Sequence, residues 1–213
     1  MQRSSAVKRS LWMATTKLQP RHLLAVALVV IAVGVAAAFV AVDRLPRGDA
    51  ITPTLQLGGP FSLTAPDGRV VTDRDFRGKW LIIYFGYTYC PDACPTALSD
   101  ITAALEQLGP LADKVQPLFI TVDPDRDTPE VMADYAGSFD PRFLGLRGTA
   151  EETAAVAAEF RVTYAVRKLG HDAYAIDHSS YIYVMNPDGA FAKLLTGDLP
   201  GHQLADELRQ LIR

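Results

Sequence analysis

The sequence predicts a mixed α/β domain, with helices on both faces of one sheet, placed behind a single membrane-spanning helix. Three observations carry that expectation. Two strongly apolar runs of strand length, Lys79 to Phe85 and Val115 to Val122, bracket a helical stripe. Late in the chain, Tyr181 to Met185 and Ala190 to Leu195 flank the turn sequence Asn186-Pro-Asp-Gly189, a hairpin signal. Near the start, Leu23 to Val42 is a run of twenty residues without a charge.

That charge-free run comes first in the chain. As a helix it would span about 30 Å, the thickness of a bilayer's hydrocarbon core. Arg3, Lys8, Arg9, Lys17 and Arg21 precede it and no acid occurs before Asp43, so the positive-inside rule puts the N-terminus in the cytoplasm. The expected organisation is a basic cytoplasmic stretch at 1–22, an anchor at 23–42, a linker at 43–60 and a folded domain at 61–213. A cleaved signal peptide is the competing reading. The small residues Ala36 to Ala38 and Ala41 keep it open, although its apolar region is usually about 7–15 residues long. An import presequence followed by an inner-membrane helix is a third. The linker, Asp43 to Pro60, carries three prolines and three glycines with little periodicity.

Removing the five basic residues before the anchor leaves 16 Lys/Arg against 24 acids, a charge of about −8 for the exported part. A surface so acidic argues against nucleic acid as a partner. Beyond the anchor the compartment would be oxidising, yet two cysteines cannot make a disulfide framework. Their role should be chemical.

The remaining elements follow in order. Phe61-Ser-Leu and Val70-Val flank Ala65-Pro-Asp-Gly68, an N-terminal β-hairpin extension. Lys79 to Phe85 reads as a buried strand. Pro95 to Leu108 is a helix by its stripe Ala97, Leu98, Ile101, Ala104, Leu105 and Leu108, stopped by Gly109-Pro110. Val115 to Val122 is a second buried strand. Thr128 caps a helix that has Pro129 at its first position and runs to about Ala136. Glu151 to Phe160 is an Ala-rich helix with acids at its start, and Gln203 to Ile212 an amphipathic one at the end. The order β-α-β-α-α-β-β-α is a thioredoxin-like pattern.

Cys90 and Cys94 lie where the first buried strand runs into a helix N-terminus, in Tyr87-Thr-Tyr-Cys-Pro-Asp-Ala-Cys-Pro95. A helix N-terminus stabilises thiolate, the form that binds metal or attacks disulfides. The later hairpin should run antiparallel to that strand, which returns Asp177-His178-Ser-Ser180 to the same sheet edge. The topology thus puts His178 opposite the two cysteines. Four residues of helical rise, about 6 Å, suit either a disulfide or a shared ion. Two thiolates and an imidazole suit Cu(I), and an added oxygen would suit Cu(II). The same ligands plus water could hold zinc. Dithiol exchange, copper and zinc all remain open on the residues alone.

Three blocks and the histidine together are more specific. Phe85-Gly-Tyr-Thr-Tyr-Cys-Pro-Asp-Ala-Cys-Pro95, Thr121-Val-Asp-Pro-Asp-Arg-Asp-Thr-Pro-Glu130 and Val184-Met-Asn-Pro-Asp-Gly189, with Asp177-His-Ser-Ser180 between, resemble the Sco/SenC family over about residues 55–210. The resemblance implies a membrane-anchored, thioredoxin-like copper chaperone that serves the dinuclear copper site of cytochrome c oxidase subunit II, as copper donor, thiol reductant or both. It carries the copper ligands onto Cys90, Cys94 and His178, and leaves the copper as Cu(I) or Cu(II). It implies a copper donor protein as a further partner, and a bacterial inner membrane with the domain in the periplasm, the mitochondrial inner membrane facing the intermembrane space being the alternative. The chain reads as a metallochaperone rather than an enzyme, with periplasmic thiol–disulfide exchange as the enzymatic alternative.

Other residues carry plainer expectations. Asp177 either orients the imidazole or stabilises a turn. His171 and His202 read as solvated, and His22 flanks the anchor. Met132 and Met185 fall on core-facing periodicities. Tyr87 and Tyr89 either shield the metal, meet a partner or fill the sheet edge. The block Asp123-Pro-Asp-Arg-Asp127 reads either as an electrostatic neighbour of the site or as a solvated turn with a helix cap.

Overall fold

The computed structural model describes residues 28–37, 57–170 and 173–212. The chain divides into two units, Met1–Thr52 and Pro53–Arg213. In the first, residues 28–37 form helix α1, with every residue exposed. The rest of the expected anchor, the basic N-terminus with His22, most of the expected linker and His171 lie outside the described residues. Among the described residues no helix is long and apolar enough to cross a membrane.

The second unit is built on a five-stranded sheet in the order β5-β4-β3-β8-β9. Its strands are β3 (Trp80–Gly86), β4 (Val115–Thr121), β5 (Leu144–Leu146), β8 (Tyr181–Met185) and β9 (Phe191–Thr196). β3, β4 and β5 run parallel, while β8 pairs antiparallel with both β3 and β9. The hairpin β1 (Ser62–Thr64) and β2 (Val70–Thr72) precedes the sheet, and a second hairpin of β6 (Tyr164–Gly170) and β7 (Ala173–His178) stands between helix and sheet. The helices are α2 (Ala93–Leu108), α3 (Pro129–Phe139), α4 (Ala150–Glu159) and α5 (Gly201–Leu211). This is the mixed α/β, thioredoxin-like architecture that the element order predicts. Glycines in the left-handed region close two of the turns, Gly68 at φ +83° and Gly189 at φ +73°.

Period-two alternation along the strands builds a core on each face of the sheet. Ile82 and Tyr84 of β3, with Phe119, Ile182 and Val184, pack against Leu98 and Ile101 of α2, Met132 of α3 and Leu204 of α5. Leu81, Ile83 and Phe85, with Leu118, Ile120 and Tyr183, pack against Val156 and Phe160 of the α4 side and Leu63 of β1. Each such side chain contributes roughly 1.5–3 kcal/mol by leaving water. Met132 and Met185 belong to these cores, as their periodicities predict.

Four elements depart from expectation. α3 runs to Phe139 rather than Ala136, because Tyr135 stacks on Phe119 and Phe139 with centroids 5.4 and 5.2 Å apart, which keeps the last turn packed. β5 extends the sheet beyond β4 with only three residues. β6 and β7 form a hairpin that no apolar run announces, since six of the seven β6 residues are exposed. As a result His178 is the last residue of a strand rather than part of a connecting loop.

Candidate metal centre

The site begins where β3 leaves the sheet. Residues 87–92 turn over the sheet edge and α2 starts at Ala93. Cys90 is half-buried in this loop, and Cys94 is fully buried in the first turn of the helix. The helix start lacks its usual cap: Asp92 makes no side-chain capping bond and no acid occupies the first turn. The backbone N–H groups of Asp92 and Cys94 are instead directed at the Cys90 sulfur. That sulfur sits where a capping oxygen would, in the positive field of the helix N-terminus.

His178 arrives from the end of β7, delivered by the turn into β8, whose Ile182 pairs with Tyr84 of β3. Its Nε2 lies 3.4 Å from Cys94 Sγ and its Nδ1 lies 3.1 Å from the carbonyl oxygen of Ser179. A carbonyl can only accept, so Nδ1 donates to it and Nε2 is the ring atom that faces the sulfurs. Tyr84 and Tyr87 fix the ring plane edge-on, with centroids 6.3 and 5.9 Å away. Asp177 does not orient the imidazole. It is exposed and pairs with Arg167 at 3.1 Å, so the tautomer is set by the backbone one residue further on.

The ligand atoms of Cys90, Cys94 and His178 all lie within 4.8 Å of one another. Sulfur and nitrogen donors about 2.3 and 2.0 Å from one ion stand about 3.5–4.0 Å apart at trigonal or tetrahedral angles. The spacing fits a shared ion. Two sulfurs and an imidazole are a soft set suited to copper. Among the described residues this is the one group of three or more His, Cys, Asp or Glu side chains arranged to hold a metal. His202 is exposed in the first turn of α5 and belongs to no such group.

The two thiols share a proton unequally. A hydrogen bond from the Cys94 thiol pulls the Cys90 pKa well below the usual thiol range, with help from His178 and the two backbone N–H groups. The same bond, together with burial, pushes Cys94 far up. Cys90 is thus the accessible thiolate and Cys94 the sealed thiol. At about pH 6 an ordinary cysteine is less than about 1% thiolate. Iodoacetamide at that pH should still alkylate Cys90 and leave Cys94 untouched, as read by peptide mass spectrometry. Equal labelling of both, or labelling that waits for alkaline pH, would contradict this division of the proton.

The acidic block proves to be an internal brace rather than a solvated turn. Asp123 and Asp127 are buried. Asp127 accepts from the Thr88 backbone N–H at 3.1 Å, the Thr88 hydroxyl at 2.6 Å and the Thr121 hydroxyl at 2.5 Å. It therefore ties the thiol loop to the end of β4. Arg126 donates from Nε to Asp123 at 2.5 Å and stands over the rings of Tyr174, Tyr89 and Tyr87. Tyr87 is buried against His178, while Tyr89 is exposed. Gly86 is a further site residue. A Cβ there would meet Cys94 Sγ at 2.7 Å and Phe119 Cε2 at 2.9 Å. A glycine ending an otherwise bulky strand is the signal that could have marked it, since such glycines often admit a close approach.

Known proteins are similar to this chain in sequence and fold. The family model described as SCO1/SenC matches residues 49–213. The chain belongs to the SCO1/SenC family. Protein SenC of Rhodobacter capsulatus is 38% identical, with 87% of each chain covered. The SCO2 homologue of Bos taurus mitochondria is 44% identical over 71% of this chain and 58% of its own length. The chain spans about half the length of the mitochondrial relatives it matches. Among solved structures, Arabidopsis thaliana ScoI with copper bound superposes with a TM-score of 0.70 at 39% identity, covering 74% of this chain and 98% of that one.

Proposed function

We propose that this SCO1/SenC protein is a copper metallochaperone that holds the metal on Cys90, Cys94 and His178. It delivers copper to the dinuclear copper site of cytochrome c oxidase subunit II, reduces that site's cysteines, or does both. The convergence of three soft donors from two distant segments carries the reading. The copper-bound relative and the family resemblance support the assignment to oxidase assembly. Because Cys90 is already thiolate, that donor need lose no proton before binding. Acid should weaken retention, since protons compete for every donor. A disulfide between Cys90 and Cys94 should abolish it.

The test is metal stoichiometry on the full-length chain, reduced against oxidised, beside His178→Ala. One copper per reduced chain and none per oxidised chain is expected, with His178→Ala changing both spectrum and affinity. Stoichiometric copper that survives His178→Ala unchanged would remove the three-donor reading, and equal zinc binding in competition would remove copper selectivity.

A second reading is favoured by the low-pKa Cys90 beside the sealed Cys94, which also suits a periplasmic thiol–disulfide oxidoreductase without a copper-delivery role. Turnover on a disulfide substrate with a rate indifferent to His178→Ala would select it. The anchor at 23–42, the linker at 43–60 and the domain at 61–213 remain part of the proposal. The described helix within the anchor supports it, since Leu28, Val29, Val30 and Ile31 are each more than 60% exposed and would be expensive to leave in water. The membrane is then the bacterial inner one with the domain in the periplasm, or the mitochondrial inner one facing the intermembrane space. A copper donor protein is the remaining implied partner.

A further inference from the structure

The hairpin that supplies His178 is not part of the main sheet: among the described residues β6 and β7 pair only with each other. A two-stranded hairpin is marginal by itself in water, and most of β6 is exposed. Something other than strand pairing must therefore hold β7 beside the thiol loop. One tie is the Ile176 backbone N–H, which donates to the Tyr87 hydroxyl at 3.3 Å. A second is the burial of Ile176 in the core, and a third, which reaches the thiol loop directly, is Arg126. Its guanidinium carbon lies 3.7 Å from the Tyr174 ring centroid on β7, and 4.7 and 5.7 Å from those of Tyr89 and Tyr87 on the loop. Its Nη1 donates to the Tyr174 carbonyl at 3.0 Å, and the Tyr174 hydroxyl donates to Asp123 at 2.8 Å, the carboxylate that also accepts from Arg126 Nε. Nη2 is buried without an oxygen partner among the described residues. The surrounding aromatic faces are its remaining source of negative potential.

One planar cation thus joins three segments: the end of β4, the loop bearing Cys90 and the strand ending in His178. We infer that Arg126 is a positioning residue, a latch that holds β7 against the thiol loop and so sets His178 in place as the third ligand. The inference rests on the copper reading for its consequence, but the latch itself exists in metal-free protein. Planarity is essential to it. A lysine would keep the charge and lose both the ring stack and the forked donors.

The test uses the full-length chain with Arg126→Gln, Arg126→Lys and Tyr89→Leu, the last removing one exposed wall of the cage without unpairing Asp123. Without metal, amide exchange at residues 174–178 should quicken about tenfold in Arg126→Gln while exchange in α2 and β3 stays as in the parent. With Cu(I) and a competing chelator, retention should fall about tenfold, as for other groups that orient a ligand. The double variant Arg126→Gln/His178→Ala should bind no more weakly than His178→Ala alone. Unchanged exchange in β7, penalties that add, or full rescue by Arg126→Lys would each overturn the latch. Should Arg126→Gln fail to fold, Tyr89→Leu faces the same criteria: selective loosening of β7 and non-additivity with His178→Ala support the latch, and their absence overturns it. If the parent chain holds no copper, the chaperone reading fails while the metal-free measurement still decides the latch.

Discussion

Asp127→Ala should cost the protein about 4 kcal/mol, the largest stability loss expected from a single change outside the apolar core. The carboxylate is fully buried and accepts from three donors, the Thr88 N–H, the Thr88 hydroxyl and the Thr121 hydroxyl. Removing it strands all three, and each buried unpaired donor costs roughly 1–3 kcal/mol. The midpoint of thermal unfolding should fall by about 10 °C for a chain of this size. Asp127→Asn should be far milder, because the amide oxygen can still accept from one threonine hydroxyl while the other turns to accept from the amide N–H.

The acid dependence of that pair has a definite sign. Burial, opposed by the threonine hydrogen bonds, raises the Asp127 pKa above that of a free carboxyl. A carboxyl whose folded pKa is raised contributes most below its unfolded pKa of about 3.9, and that contribution shrinks as pH climbs through the folded value. The parent chain should therefore lose stability relative to Asp127→Asn as pH climbs above about 4. A gap that widened in the parent's favour over that range would mean the hydrogen bonds outweigh burial.

Gly86→Ala should damage the metal centre with no donor removed. The added methyl would lie 2.7 Å from Cys94 Sγ and 2.9 Å from Phe119 Cε2, closer than atoms tolerate. Phe119 is fully buried and packs on Tyr135, so the short Cys94 side chain is the one to yield. Moving its sulfur away from His178 Nε2 should lower copper retention about tenfold or more, at a stability cost of about 1–3 kcal/mol for the crowding. Gly137→Ala is the matching control. It sits in α3 with nothing within 4 Å of the new methyl, and should gain about 0.5–1 kcal/mol while leaving copper untouched. Equal copper retention in the two variants would mean that Gly86 holds no space for the sulfur.

Much of this was readable before any coordinates. The buried strands β3 and β4, the helical stripe of α2 and the Asp-Gly turns are coded by local pattern, because each buries a face or needs a positive φ. The antiparallel return of β8 followed from them and placed His178 beside the cysteines. What escaped lacks a local signal. β6 exposes both charge and apolar side chains, with Val166 and Arg167 adjacent and both facing solvent, so no alternation betrays a strand. β5 is three residues that become a strand only because β4 is there to pair with. The block with Asp123 and Asp127 read equally as an electrostatic neighbour of the site or as a solvated turn, since composition alone does not reveal that Thr88, Thr121 and Tyr174 will close over them. The orienting partner of His178 is a main-chain carbonyl, a group every residue possesses and no sequence singles out.

The unequal burial of the two sulfurs imposes a sequence of events on any handover. A visiting thiolate can reach Cys90, half open at the mouth of the loop, but not Cys94, which has no exposed surface at all. On the proposed copper site, exchange would start at Cys90, with Cys94 and the imidazole as the donors that remain. The same order would apply to a visiting disulfide, with Cys94 left to resolve the mixed bond from behind. Direction is thus written into depth: the outer sulfur opens each transaction and the inner one closes it.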